Sequence, residues 1–152
     1  MLIVEPADPL AQGPKALLEA SHALMREMFE PEENYFLDFE ALRAPEIHFF
    51  AAREGQVVLG TGALAVKEGY GEIKSMFTAP EARGRGVAAA LLRALEDEAR
   101  EFRLPLLRLE TGTGLDAAHR LYERAGFRRC GIFGDYRPSA ASIYMEKRLE
   151  EL

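Results

Sequence analysis

Between Val87 and Phe102 the apolar residues Ala88, Leu91, Leu92, Leu95, Ala99 and Phe102 fall on one helical stripe, and Arg83-Gly84-Arg85-Gly86 stands directly ahead of it. Arg93, Glu96, Asp97 and Arg100 take the other side and are expected to face water, with Glu96 and Arg100 spaced for an i,i+4 pair. A strand-like run from Ile73 to Phe77 leads into the glycine turn, and a second one from Leu106 to Thr111 follows the helix. Glycines without a Cβ let successive N–H groups point into one concavity, the helix N-terminus adds partial positive charge, and Arg83 and Arg85 add full charges. The passage therefore reads as strand, phosphate socket, helix, strand.

The flanking segments extend this order. Leu2 to Val4 is a short strand closed by Pro6 and Pro9, Lys15 to Phe29 a helix ended by Pro31, and Tyr35 to Leu42 a second short helix stopped before Pro45. Ile47 to Ala52, Val57 to Val66 and Tyr70 to Thr78 form an antiparallel meander with turns at Glu54-Gly55 and Glu68-Gly69. Asp116 to Arg124 is an amphipathic helix with Gly126 in the C′ place, and Phe127 to Phe133 and Ser142 to Leu149 are the last strands. The expected fold is α/β of the α+β kind, a mixed and mostly antiparallel central sheet flanked by helices, with residues 1–152 forming a single domain.

Charge narrows the partners. Acidic residues outnumber basic ones for a net charge of −6, which argues against general nucleic-acid binding. No run approaches membrane-spanning length, so no membrane partner is expected. Cys130 is the only cysteine, which points to a reducing cytoplasm and to a small apolar residue rather than a nucleophile. His22, His48 and His119 have no metal-site spacing, and no metal is expected.

The pattern G-x-G-x-x-A occurs at Gly60 to Ala65, Gly84 to Ala89 and Gly112 to Ala117, so by itself it says little. The first copy lies inside a strand, where glycine marks a bulge or close packing. The third opens a helix too late in the chain for a dinucleotide fold.

The second copy has informative neighbours. Met76-Phe77-Thr78-Ala79-Pro80-Glu81-Ala82-Arg83-Gly84-Arg85-Gly86-Val87-Ala88, followed by Leu91-Leu92, resembles the acetyl-CoA motif [QR]-x-x-G-x-[GA] of the GNAT N-acetyltransferases. Ala118-His119-Arg120-Leu121-Tyr122-Glu123-Arg124-Ala125-Gly126-Phe127 resembles the same family's A-x-x-L-Y-x-x-x-G-F segment. The resemblance implies a sheet splayed between strands 4 and 5. It implies acetyl-CoA as acyl donor, with the Met76, Phe77, Thr78 backbone against the pantetheine arm. It also implies the N–H groups of Arg83, Gly84, Arg85, Gly86, Val87 and Ala88 around the pyrophosphate. Leu115 departs from the family, where many relatives carry an asparagine or glutamine.

Acyl transfer to an amine needs a base and an acid for the departing thiolate. Glu72, on the same strand face as Lys74, Met76 and Thr78 by alternation, is the expected base, the alternative being a Glu72–Lys74 pair on a wet face. Glu110 is a second candidate base or an anchor for the substrate amine. Tyr122 holds the family's tyrosine position as acid, the alternative being a packed helix-face aromatic. Tyr35, Tyr136 and Tyr144 are expected to line the acceptor pocket or to pack. The expected activity is N-acetyl transfer to a small-molecule primary amine by direct attack. A protein N-terminus or lysine is the alternative acceptor, a non-catalytic acyl-CoA-binding module the alternative of another class, and a homodimer a possible assembly.

Overall fold

The computed structural model of the protein describes residues 1–149. Among these residues, seven strands join one sheet in the order β1-β2-β3-β4-β5-β7-β6. They are β1 Leu2–Pro6, β2 Ile47–Glu54, β3 Val57–Lys67, β4 Tyr70–Thr78, β5 Leu106–Gly112, β6 Arg128–Arg129 and β7 Ser142–Arg148. The helices are α1 Gln12–Met28, α2 Val87–Glu101 and α3 Asp116–Arg124. Every pairing is antiparallel except β4 with β5, as the strand–helix–strand passage predicts.

That parallel pair is short. Its register runs Gly71↔Leu107, Glu72↔Arg108, Ile73↔Leu109 and goes no further, although β5 keeps pairing with β7 as far as Gly112 and β4 with β3 as far as Thr78. Beyond Ile73 and Leu109 the two strands diverge and leave a gap between their facing edges. Strand β4 also carries a bulge there, since Thr61 faces Phe77 but Ala63 faces Lys74, which gives β4 one extra residue opposite Gly62. Ser75 takes that extra residue with φ +56°, a left-handed conformation normally left to glycine.

The main core lies between the sheet and α2, where Leu91, Leu92 and Leu95 are fully buried, each worth about 1.5–3 kcal/mol of transfer free energy. Gly60 and Gly62 sit beneath this helix, and a Cβ at either would come within 2.7 Å of Val87 or Met76 side-chain atoms. Close packing therefore explains the first glycine pattern. A smaller cluster of Leu18, Leu42, Phe49 and Ala63 packs the opposite face under α1.

The structure departs from the sequence reading at the Ser75 bulge, which turns Met76 toward the α2 core and off the face that Glu72 and Lys74 share, and in four other places. Tyr35 to Leu42 is not a helix. Asp38 accepts a hydrogen bond from the Ala41 N–H at 2.8 Å and opens a 3-10 turn at Ala41–Arg43, while Phe36 turns inward to stack on His22 with ring centroids 4.2 Å apart. Phe127 to Phe133 pairs only at Arg128 and Arg129, because Phe133 leaves the ladder to meet Tyr70, Tyr136 and Tyr144 edge-on. Glu96 is buried rather than wet, bonded to Lys147 at 2.8 Å besides its pairing with Arg100 at 3.7 Å. Phe102 is 47% exposed, lying beside His48, whose ring also meets Glu98 at 3.2 Å.

Candidate active site

The gap between β4 and β5 opens into a cavity of about 160 Å³. Its floor is the two diverging edges, Ser75, Met76 and Phe77 on one side and Glu110, Thr111 and Gly112 on the other. Strand edges that have lost their ladder partner keep unpaired N–H and C=O groups, so an extended chain bearing amides can be received as an added strand. One wall comes from α3 through Leu115, Ala118 and Tyr122. The other comes from Ser21, Met25 and Phe29 of α1 and its end, spaced four apart, with Tyr35 and Phe36 of the loop that follows. Phe29 lies directly on β5, since a Cβ on Gly112 would come 2.2 Å from its ring.

Past Thr78 the chain makes a 3-10 turn at Pro80–Ala82 and reaches the glycine loop at the start of α2. Gly84 and Gly86 both have φ +80°, and a Cβ on either would meet nothing within 4 Å, so the backbone there fronts open space. Gly86 is the N-cap, no side chain caps the helix, and its first turn holds no acidic residue. The first-turn amides are thus left for an anion, as the sequence pattern suggests. Arg83 is exposed, and Arg85 is held by Glu54 at 2.8 Å.

Of the candidate residues, Met76, Phe77, Glu110, Tyr122 and Tyr35 line the cavity. Thr78, the Arg83 to Ala88 loop, Glu72 and Tyr136 lie outside its lining. Glu72 is 5% exposed and accepts a short hydrogen bond from the Tyr136 hydroxyl. It also lies 3.5 Å from Lys74 Nζ, so the anticipated Glu72–Lys74 pair exists on a buried face instead of a wet one. Burial and then the charge of Glu72 push the Tyr136 phenol far up.

Glu110 accepts a hydrogen bond from Ser142 Oγ at 2.8 Å. Burial pushes its carboxyl above the ordinary glutamate range; Ser142 and the Lys74 ammonium pull it back, and Glu72 adds to the rise. Tyr122 is 6% exposed, packs edge-on against Phe127 and reaches the cavity. Burial, then the nearby charge of Glu110, raises its phenol well above the ordinary tyrosine value, so it stays a proton donor at neutral pH. His119 donates through Nε2 to the Gly112 carbonyl at 2.9 Å and so fixes α3 against the end of β5.

A sequence model of the acetyltransferase (GNAT) family matches residues 16–127. The chain belongs to the GNAT family. Like its relatives it is an acetyl-CoA-dependent N-acetyltransferase. An IAA acetyltransferase of Azospirillum brasilense is 40% identical over 143 residues, 93% of this chain and 94% of that one. The uncharacterized N-acetyltransferase YsnE of Bacillus subtilis is 40% identical over 125 residues, 80% and 83% of the two chains. Among solved structures, a putative acyl-CoA N-acyltransferase of Klebsiella pneumoniae superposes with a TM-score of 0.83 at 31% identity, covering 99% of each chain.

Several cavity residues of this GNAT chain carried no sequence signal of their own. Phe29 and Phe36 read as ordinary apolar residues, and the Ser75 bulge leaves no trace in the alternation. Lys74 did leave one, since two-residue alternation puts it beside Glu72.

Proposed function

We propose that this enzyme acetylates a small primary amine that carries an apolar body, by direct attack on the thioester carbonyl. The observation that carries the reading is that Glu110 and Tyr122, a carboxyl and a phenol both raised by burial, line the one cavity at the β4–β5 gap. Acetyl-CoA supplies the thioester. The free edge at Met76 to Thr78 would receive its amide-bearing arm, and the amides from Arg83 to Ala88 its pyrophosphate. Glu110 takes the proton from the incoming ammonium, because a carboxylate with a raised pKa is a stronger base than an ordinary one. Tyr122 gives a proton to the departing thiolate. Glu72 is the second candidate for the base, set behind Lys74 and Tyr136.

Met25, Phe29 and Phe36 make the acceptor wall apolar, while Glu110 and Glu33 favour a cationic head group. The Cys130 thiol is raised by burial and then by Glu146, which disfavours the thiolate that a covalent route would need. A cytoplasmic setting and a homodimer complete the reading.

Coenzyme A release is measured against 2-phenylethylamine, spermidine, an amino acid amide and a peptide with a free N-terminus. The aryl amine should give the highest kcat/KM, whereas preference for the peptide would move the acceptor to the protein class. E110Q should remove most turnover and leave the acetyl-CoA KM intact. If E72Q does this and E110Q does not, Glu72 is the base.

A further inference from the structure

We propose that Lys74 is a positioning residue of the acceptor site, a single ammonium that ties the loop carrying Tyr35 and, behind it, the loop carrying Tyr136 to strand β4 and so fixes the Tyr35 wall of the cavity that Glu110 lines. The proposal rests on the reading of Glu110 as base. Lys74 Nζ donates to the Tyr136 hydroxyl at 2.9 Å and to the Tyr35 carbonyl at 3.1 Å, and meets Glu72 at 3.5 Å. The ammonium thus donates to both loops and pairs by charge with Glu72 on its own strand. The rings of Tyr35 and Tyr136 pack edge-on at 4.7 Å, and the Tyr35 hydroxyl accepts from the Arg137 N–H at 3.4 Å.

Neither loop has a ladder of its own at these points. Residues 34–39 and 130–141 form no strand or helix, so contacts of this kind decide where they stand. The Lys74 side chain is 13% exposed, and an ammonium withdrawn from water is costly unless fully paired. A methionine would fill the same space without that cost, so packing alone does not explain a lysine here. Tyr136, meanwhile, passes the link on to Glu72 through its own proton.

The same charge acts on Glu110. The groups that face Glu110 are Lys74 and Glu72 from β4, Ser142 and Tyr144 from β7, Tyr122 from α3, Tyr136 from its loop and Glu33 across the cavity. Lys74 is the one cation among them. Burial and Glu72 raise the Glu110 carboxyl, and Lys74 with the Ser142 hydroxyl opposes them. Without Lys74 the carboxyl holds its proton to higher pH.

K74M, K74R and the double variant K74M/E72Q test this. The double variant removes the carboxylate that K74M leaves buried without its cation, which protects the fold. With the best amine of the panel as probe, K74M should raise the acceptor KM on the order of 10- to 100-fold, the cost of a misplaced wall. The acetyl-CoA KM should hold, and the acid limb of kcat/KM should move to higher pH. K74R keeps the charge and should leave that limb in place. In the double variant the two removed charges act oppositely on Glu110, so the limb should return toward the parent's.

Hydrogen exchange of the full chain gives a readout that needs no turnover. Residues 34–37 and 133–141 should exchange at least about tenfold faster in K74M and in K74M/E72Q, the factor expected for a lost charged hydrogen bond. Parental exchange in both segments together with a parental acceptor KM would overturn the proposal. Full turnover in E110Q would instead remove Glu110 as base, while exchange and KM in the Lys74 variants still judge the clamp.

Discussion

Ser75 carries two separate costs at one residue. Its φ of +56° places a Cβ where L-residues are strained, worth about 1–2 kcal/mol. Its hydroxyl is buried and finds no hydrogen-bond partner among the described residues, worth about 1–3 kcal/mol. S75G removes both and adds about 0.5–1 kcal/mol of chain entropy to be lost on folding. Thr61 Oγ1 donates to the Ser75 carbonyl at 2.9 Å, a bond that ignores the side chain, so the bulge should persist. The net expectation is a gain of about 1–4 kcal/mol, and at roughly 2–4 °C per kcal/mol for a chain of this size Tm should rise by at least about 2 °C. S75A keeps the strained φ and should recover only the hydroxyl part. Thermal denaturation by circular dichroism reads all three proteins. An S75G melting point at or below the parent's would refute the argument, and S75A matching S75G would remove the backbone part of it. Turnover measured alongside tells whether the bulge is strain kept for activity, which would appear as gained stability with lost rate.

Four further expectations concern the reaction and the stability of the groups around it. Y122F should lower kcat on the order of 10²- to 10⁴-fold with an unchanged Tm, because the ring still packs on Phe127; steady-state kinetics and a melt check this. The acid limb of kcat/KM should lie above the ordinary glutamate value of 4.5, since the Glu110 carboxyl is raised. A raised acid is favoured protonated in the fold, so its stabilising part is present below 4.5 and lost as pH rises through the folded value; E110Q should flatten this slope in denaturant titrations. G86A should cost about 1–2 kcal/mol through its φ of +80° and raise the acetyl-CoA KM while leaving the acceptor KM alone, as read by urea titration and kinetics.

The elements proposed to position the donor were legible as structure because their signals are local. Glycines at 84 and 86, a helical stripe from Ala88 to Ala99 and the Ala118 to Phe127 segment each act through their own backbone and spacing. The wall proposed for the acceptor was not legible in this way. The segment from Tyr35 to Leu42 has enough apolar residues for a helix, but Asp38 caps a turn inside it and Phe36 is drawn to His22, a partner from another element. Phe133 likewise leaves its strand for rings contributed by Tyr70, Tyr136 and Tyr144. Glu96 looked solvent-facing because its cation, Lys147, comes from the far end of the chain. Both Glu72 and Glu110 were legible as strand carboxylates, and the sequence favoured Glu72 as the base; the end of the β4–β5 ladder at Ile73 and Leu109 leaves Glu72 outside the cavity lining and Glu110 within it.

That ladder's early end has a further consequence. Strand borders without partners are adhesive, and on a protein's outside they recruit other chains into aggregates. Here both borders face each other across the cavity, between α3 on one side and α1 with the loop after it on the other, so the adhesive property is kept and its hazard is lessened. An arm received there would lie within the sheet and between those walls, away from the sheet's outer strands. The edges proposed to receive the donor are thereby kept off the sheet's rim, where β1 and β6 stand.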